Sequence, residues 1–445
     1  MSRFLISLLL CASVSAAPNI VVILCDDLGY GDIGAYGHPV IETPNVDRMA
    51  REGQRWTSFY ASSPVCNPSR VALMTGRMPA RIHGGLNLWA NPSSDEFTVA
   101  EMLKGKGYQT AIIGKWHLGM EEGLHPLDQG FDYYYGTPGS NDAPLKPGIK
   151  RTYWTTRDAM STDYDIPLMK MRETLETPIY QPTITKRYGD EAADWIGKNK
   201  DAPFFLYLAH NMPHVPIFRS PEFEGHSAGG LYSDVIEELD DSVGKVIRAL
   251  EKAELTSNTL VVFTSDNGPW RTYYDLGGSP GHLRDGKMTT WEGGVRVPGV
   301  FWWPGTIKPA VVRGIGASVD FLATFAALAG AKLPNDREYD SMDLSETLLK
   351  GAPSPRTEWF YFGHPSGELF AARVGRYKLH LKSWETIGHE EVGWRGYGNE
   401  QTYESPILFD LDNDISERWD IAKDHPDIVG RVQKAIERYQ GSIAK

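Results

Sequence analysis

Cys66 stands in the run Ser63-Pro64-Val65-Cys66-Asn67-Pro68-Ser69-Arg70, continued by Val71 to Arg77. Pro68 lacks a backbone N–H and has its φ preset, so it fits the first turn of a helix, and Gly76 reads as that helix's stop. Cys66 then opens a helix, where unpaired amides and the positive end of the dipole favour an anionic ligand and a deprotonated nucleophile. Arg70, about one turn on, brings a fixed cation to the same side. Read alone, the stretch also fits a buried structural cysteine beside a surface turn.

A second cluster closes an apolar run. Gln109 to Ile113 reads as a short strand, and Lys115 and His117 follow it two residues apart. Strand alternation predicts both on one face, where a cation beside an imidazole suits an anion site with a proton-transfer group. A solvated lysine and a structural histidine fit the same spacing.

Four more runs end in polar clusters. Asn19 to Cys25 leads into Asp26-Asp27, Pro203 to Ala209 into His210-Asn211-Met212-Pro213-His214, and Thr259 to Ser265 into Asp266-Asn267-Gly268; Val300 to Trp303 closes at Pro304-Gly305. Unbroken apolar strands of this length predict a parallel sheet covered by helices on both faces, and such sheets bind ligands beyond their carboxyl ends. Neighbours on a strand face opposite ways, so Asp26-Asp27 and Asp266-Asn267 converge only from the loops past their strands. Three carboxylates and an amide oxygen around one point suit Ca²⁺ or Mg²⁺ better than Zn²⁺.

Together these stretches resemble the type I sulfatases of the alkaline phosphatase superfamily. Cys66 to Arg70 is similar to the family's C-x-P-S-R signature. Gly107 to Gly119 is similar to G-Y-x-T-x-x-x-G-K-W-H-L-G, and Gly286 to Pro298 to G-K-x-T-x-x-E-G-G-x-R-x-P. The order and spacing hold over nearly the whole chain, and the general run is nearest the arylsulfatase A and N-acetylgalactosamine-6-sulfatase branch. The resemblance implies a sulfuric ester hydrolase in which a maturation enzyme oxidises Cys66 to formylglycine, whose hydrate supplies the nucleophilic oxygen. It implies one divalent ion, usually calcium, on Asp26, Asp27, Asp266, Asn267 and the oxygen at position 66. By the same likeness Lys115 and Lys287 bind sulfate, Arg70 supports the hydrate, His117 acts as a base and His214 is the acid at the leaving group. His210 is the weaker candidate, expected to be structural.

The implied fold is α/β: an alkaline-phosphatase-like, mostly parallel mixed sheet between helices, with a smaller C-terminal antiparallel sheet and helix. The Pro-rich stretch 351–355 marks the boundary, giving a leader at 1–16, a catalytic domain at 17–355 and a C-terminal subdomain at 356–445. Trp359 to Phe362, Leu369 to Val374, Tyr377 to Leu381 and Ile407 to Leu411 read as strands and Pro426 to Tyr439 as a closing helix. The region from Glu121 to Tyr180 reads as long loops over the site.

Arg3, the apolar Phe4 to Ala12 and Val14-Ser15-Ala16-Ala17 read as a signal peptide, too short to span a membrane, so the expected location is secreted or periplasmic. Cys11 follows Leu10 rather than a small residue, which disfavours a lipoprotein anchor without removing it. Loss of Arg3 takes the formal charge from -12 to -13, and no basic stripe points to nucleic acid. The expected partner is a sulfated carbohydrate, with an aryl sulfate the smaller alternative. Trp89, Asn91, Trp270 and Arg271 are its candidate contacts, with Tyr273, Tyr274 and Trp384 behind them. Two other readings are kept. One is a phosphonate monoesterase or phosphodiesterase of the same superfamily, whose members tend to carry histidine at the place of Asn267. The other is a glycan-binding protein with Cys66 unmodified.

Overall fold

Every residue of Asn19–Cys25 is buried. Ile20, Val22 and Leu24 face one apolar layer while Val21, Ile23 and Cys25 face the other, which is the environment of a central strand. The computed structural model describes residues 17–82, 91–364, 366–386 and 399–443. The strands are β1 (Asn19–Cys25), β2 (Gln54–Tyr60), β3 (Gln109–Gly114), β4 (Tyr133–Gly136), β5 (Leu168–Lys170), β6 (Glu173–Glu176) and β7 (Phe204–Ala209). They continue as β8 (Thr259–Ser265), β9 (Arg296–Trp302), β10 (Ala310–Ala317), β11 (Glu358–Phe362), β12 (Leu369–Val374), β13 (Tyr377–Glu385) and β14 (Asn399–Asp410).

The first ten form one sheet in the order β10-β2-β9-β8-β1-β7-β3-β4-β5-β6. The block β8-β1-β7-β3-β4 is parallel throughout, so its carboxyl ends share one edge. Helices Ile184–Lys198 and Leu231–Lys252 cover one face through Tyr188, Ala192, Leu239 and Val243. Helices Cys66–Thr75, Val99–Lys104 and Phe321–Ala329 cover the other through Val71, Leu103 and Phe325.

Two expectations need correction. The run Val300 to Trp303, read as a parallel strand, forms the end of β9 up to Trp302, and β9 is antiparallel to β8 and to β2. A parallel neighbour needs a crossover to the opposite edge. The segment after β8 instead stays at the carboxyl edge, delivers Asn267 and Lys287 there, and enters the sheet running back. The region from Glu121 to Tyr180 is more than loops, since β4, β5 and β6 extend the sheet edge and Tyr153–Arg157 is a short helix. Strands of three or four residues are too short to show a period.

A second sheet, β11-β12-β13-β14, is antiparallel. Helix Pro426–Ile443 packs Val432, Ala435 and Ile436 into a core shared with Tyr361, Ala371 and Leu379, and with Tyr60, Val295 and Ala317 of the main sheet's side. Polar bonds cross the same contact. Lys378 Nζ lies 3.0 Å from Glu292 Oε1 and 2.9 Å from Glu417 Oε1, and donates to Thr290 O at 2.8 Å. The Tyr60 and Tyr361 hydroxyls donate to Glu292 at 2.6 and 2.8 Å, and Glu292 N donates to Glu417 Oε2 at 2.7 Å. All these groups are buried. Removing Lys378 leaves Glu292 to Arg296 at 3.2 Å and Glu417 to the His380 imidazole at 2.8 Å, and breaking a buried ionic set in this way costs about 3–5 kcal/mol. Lys378→Met is therefore expected to lower the unfolding free energy by about that much in urea titration.

Candidate active site

β1 and β8 pair with Cys25 opposite Ser265, so Asp26 and Asp266 leave the sheet side by side. Asp27 has a φ of 64°. This left-handed turn breaks strand alternation and lets adjacent aspartates serve one site. On the next strands Gly114 closes β3 with a φ of 115°, and a Cβ there would come within 1.8 Å of the Ala209 carbonyl oxygen. The glycine lets Lys115 N donate to Ala209 O at 2.7 Å. Lys115 and His117 thus both lie past the strand; the turn after Gly114 and the left-handed His117, φ 66°, direct them, and alternation does not.

Cys66 is the first residue of helix Cys66–Thr75, which Val65 provides with no side-chain cap, and Gly76 ends it in a left-handed conformation. A terminus without a side-chain cap keeps first-turn amides open to an anion. The Cys66 Sγ and one oxygen each of Asp26 and Asp266 lie within 4.8 Å of one another, and an Asp26, Asp27 and His214 set does the same.

Cations fill the spaces between the carboxylates. Lys115 Nζ donates to Asp26 Oδ2. Lys287 Nζ lies 2.7 Å from Asp27 Oδ1 and 2.8 Å from Oδ2. Arg70 Nε and Nη2 are both 2.8 Å from Asp266 Oδ2, and its Nη1 donates to Lys115 O at 2.9 Å. Asn267 Nδ2 donates to Asp27 Oδ1 at 2.7 Å. Burial pushes the Asp27 carboxyl up to about 7, with Lys287 opposing and Asp26 and Asp266 adding to the rise. Burial and Asp26 likewise raise Asp266 to about 6 against Arg70. For Asp26 burial is outweighed by Lys115, His214, Arg70 and Lys287, which hold it well below the usual range. The set thus behaves as a shared charge in which Asp26 is the most firmly ionised member.

Two buried oxygens, Asp26 Oδ1 and Asn267 Oδ1, have no hydrogen-bond partner. A buried acceptor left unmet costs about 1–3 kcal/mol. Unpartnered hard oxygens beside two more carboxylates are what Ca²⁺ or Mg²⁺ binds, so these residues fit such an ion. Asp26, Asp27, Asp266, Asn267 and position 66 could hold it.

The two histidines are neutral. Burial, then Lys115 and Arg70, keep His117 well below its ordinary value; burial and Lys287 bring His214 down to about 3. His214 Nδ1 lies 2.6 Å from Val215 O and donates to it, which turns Nε2 toward Asp27 Oδ2 at 3.6 Å. His210 is buried elsewhere, 3.2 Å from Ser242 Oγ, as a structural residue would be.

The candidate substrate contacts divide. Trp270 is buried, its ring 4.2 Å from Lys287 Nζ and 5.3 Å from the His214 ring, so it forms part of the site wall and is not a free stacking face. Arg271 is exposed against Gly286. Asn91 Oδ1 is 3.4 Å from Asn67 Nδ2, beside Cys66. Trp89 lies outside the described residues. Sequence reasoning missed Ser140 and Asp142. Asp142 is buried and is paired to Arg151 through Oδ2, and its charge raises the proton affinity of both His117 and His214. Ser140 Oγ is buried too, and its side chain helps hold the Asp142 carboxyl low. They follow β4, a parallel strand, so the strand-end rule would have found them had four residues sufficed to reveal that strand.

Fold and site define an alkaline-phosphatase-like hydrolase with an acidic cluster that fits a divalent ion, a cysteine at a helix N-terminus and cations that suit an anionic ester. The chain belongs to the sulfatase family: the family description Sulfatase matches residues 18–331, and the C-terminal region of aryl-sulfatase matches 354–445. It is similar to N-acetylgalactosamine-6-sulfatase of Rattus norvegicus, 38% identical over 98% of this chain and 88% of the relative. It is equally similar to arylsulfatase A of Bos taurus, 38% identical over 98% of this chain and 90% of the relative. Among solved structures, PsFucS1 sulfatase from Pseudoalteromonas sp. superposes with a TM-score of 0.82 at 28% identity, over 96% of this chain and 90% of that one. Ps i-CgsB in complex with k-i-k-neocarrahexaose gives 0.79 at 30%, over 95% and 93%. The protein is a sulfuric ester hydrolase.

Calcium is expected to bind in calorimetry and to raise the unfolding free energy by about 2.7 kcal/mol at a hundredfold excess over Kd. Asp266→Asn is expected to lose both effects while remaining folded.

Proposed function

We propose that the protein releases sulfate from a sulfated carbohydrate, with Cys66 matured to formylglycine and Ca²⁺ or Mg²⁺ held by Asp26, Asp27, Asp266 and Asn267. The observation that carries this reading is the convergence of Cys66, at an open helix N-terminus, with three carboxylates, three cations and two neutral histidines. Burial pushes the Cys66 thiol up to about 11. An unmodified cysteine is then a neutral thiol near neutral pH and a poor nucleophile, which supports maturation over thiol chemistry. When present, the matured residue supplies a hydrated-aldehyde nucleophile and the metal ion supplies Lewis-acid neutralisation of the reacting oxygens.

The chain's own groups do the rest. Lys115 and Lys287 are paired to Asp26 and Asp27; with those carboxylates engaged by a divalent ion, both ammonium groups would be free to bind sulfate oxygens. Arg70 stays anchored to Asp266 and keeps a positive charge beneath position 66. Neutral His117, with its Nδ1 unpartnered, can accept the proton that must leave for sulfate to be expelled. His214 donates to the leaving-group oxygen. A bound sulfate anion between Lys287 and His214 favours the imidazolium that this role requires.

A carbohydrate substrate is supported by the relatives, one of which is an N-acetylgalactosamine-6-sulfatase and another of which is solved with neocarrahexaose. The division into 17–355 and 356–445 is supported by the two sheets and by the two family descriptions. Export rests on the leader reading of 1–16, which lies outside the described residues. Among the described residues no helix is long and apolar enough to cross a membrane.

Two measurements test the reading. In protein coexpressed with a formylglycine-generating enzyme, the tryptic peptide Trp56 to Arg70 is expected at the mass of an aldehyde in place of the thiol, and an alkylatable cysteine there removes the nucleophile. His214→Ala is expected to lose about 10²–10⁴ in kcat on sugar sulfates, whose alcohol is a poor leaving group, and far less on 4-nitrophenyl sulfate. Equal losses on both would sink the acid role.

A further inference from the structure

Outside the catalytic centre, segments 151–157 and 270–276 bring three aromatic rings together at its rim. The Tyr153 ring stands edge-on to Trp154 at 5.0 Å and to Tyr274 at 5.6 Å. Trp154 is 66% exposed and Tyr274 59%. Large rings grouped in solvent mark a surface that a ligand covers. These rings are also held in place. Tyr153 OH donates to Asp275 Oδ1 at 2.6 Å, and Arg157 Nη1 donates to Tyr153 OH at 2.8 Å. Tyr274 itself has φ 52° and ψ −117°, a conformation that side chains other than glycine rarely adopt. A tyrosine kept there without burial points to a use for its ring.

The cluster is continuous with the chemistry. Tyr273, next to Tyr274, stacks its ring edge against Trp270 at 4.8 Å, and Trp270 lies 5.3 Å from the His214 ring. His214 is the group assigned to the leaving-group side, so the rings lie where the rest of a glycan would extend. Arg271, three residues before Tyr274, is exposed beside Gly286 and supplies a cation on the same segment.

We propose that Tyr153, Trp154 and Tyr274 form an accessory subsite that stacks on a sugar unit of a sulfated glycan beyond the unit being desulfated, with Arg271 meeting that glycan's anionic groups. The inference rests on the carbohydrate reading above. The C–H face of a pyranose is apolar and slightly positive, and it complements the negative face of an aromatic ring. The subsite therefore recognises chain length and ring face, while the catalytic centre recognises sulfate.

The test uses the matured full chain with 4-nitrophenyl sulfate and with hexasaccharides of chondroitin 6-sulfate, κ-carrageenan and a sulfated fucan. Trp154→Ala is expected to raise KM about tenfold for whichever hexasaccharide the wild type desulfates, with kcat little changed and 4-nitrophenyl sulfate turnover kept within about twofold. Tyr274→Gly is expected to raise the same KM and also to raise the unfolding temperature, because glycine relaxes the strained backbone. A hexasaccharide KM unchanged in both variants overturns the subsite. So does a wild type that hydrolyses 4-nitrophenyl sulfate but none of the glycans, and in that case the catalytic reading stands. Loss of all activity in the wild type overturns the functional reading and the subsite with it.

Discussion

Three carboxylates buried within a few ångströms of one another are the constraint around which this molecule is arranged. Asp26, Asp27 and Asp266 are almost wholly removed from water, and like charges at that spacing cannot all remain ionised without counter-charge. The fold answers with three cations from separate parts of the chain: Arg70 from a helix, Lys115 from the turn after β3 and Lys287 from the segment before β9. In this arrangement Lys115 and Lys287 occupy carboxylates that a divalent ion can claim. The same two lysines thus hold the acidic cluster together, and under the proposed function they would be free to meet an anion once those carboxylates held a divalent ion.

Lys287 brings the second sheet into the chemistry. It sits five residues before Glu292, whose carboxylate is gripped by Tyr60 of the main sheet and by Tyr361 and Lys378 of the C-terminal sheet. Glu417 closes the set by accepting from Glu292 N and pairing with His380. A buried network of this kind is worth less as stability than as geometry, since apolar packing could replace much of its energy. Its effect here is to fix one end of the loop that carries the lysine. The C-terminal sheet accordingly acts on the site at second hand.

Much of this was legible from residue types. Continuous apolar runs marked β1, β3, β7 and β8, and because parallel strands share a carboxyl edge, the polar residues after them had to meet. The directions in which side chains leave those ends were not legible. Asp27 and His117 take left-handed conformations that nothing in their residue types announces, whereas Gly114 does so openly. The direction of β9 was hidden because an apolar run reads the same both ways. Trp270 looked like a sugar platform, but its ring is spent on Lys287 and His214. Ser140 and Asp142 were missed because β4 is only four residues long.

The burial of Trp270 separates two tasks that the family must combine. A ring packed against Lys287 and His214 excludes water from the two groups to which the proposed mechanism gives sulfate binding and proton donation, so changing it to suit a new sugar would disturb that chemistry. Selection of the acceptor is better left to side chains that touch the centre only through intermediaries. The segments carrying Trp154 and Tyr274 meet that condition, since ring contacts and one backbone step connect them to His214. Chains at the same 38% identity to this one include both an N-acetylgalactosamine-6-sulfatase and an arylsulfatase A, and the proposed division would let the acceptor differ without a change at the acidic cluster. A sheet edge of carboxylates and cations can be kept unchanged while the rim that reads the remainder of the substrate is rebuilt.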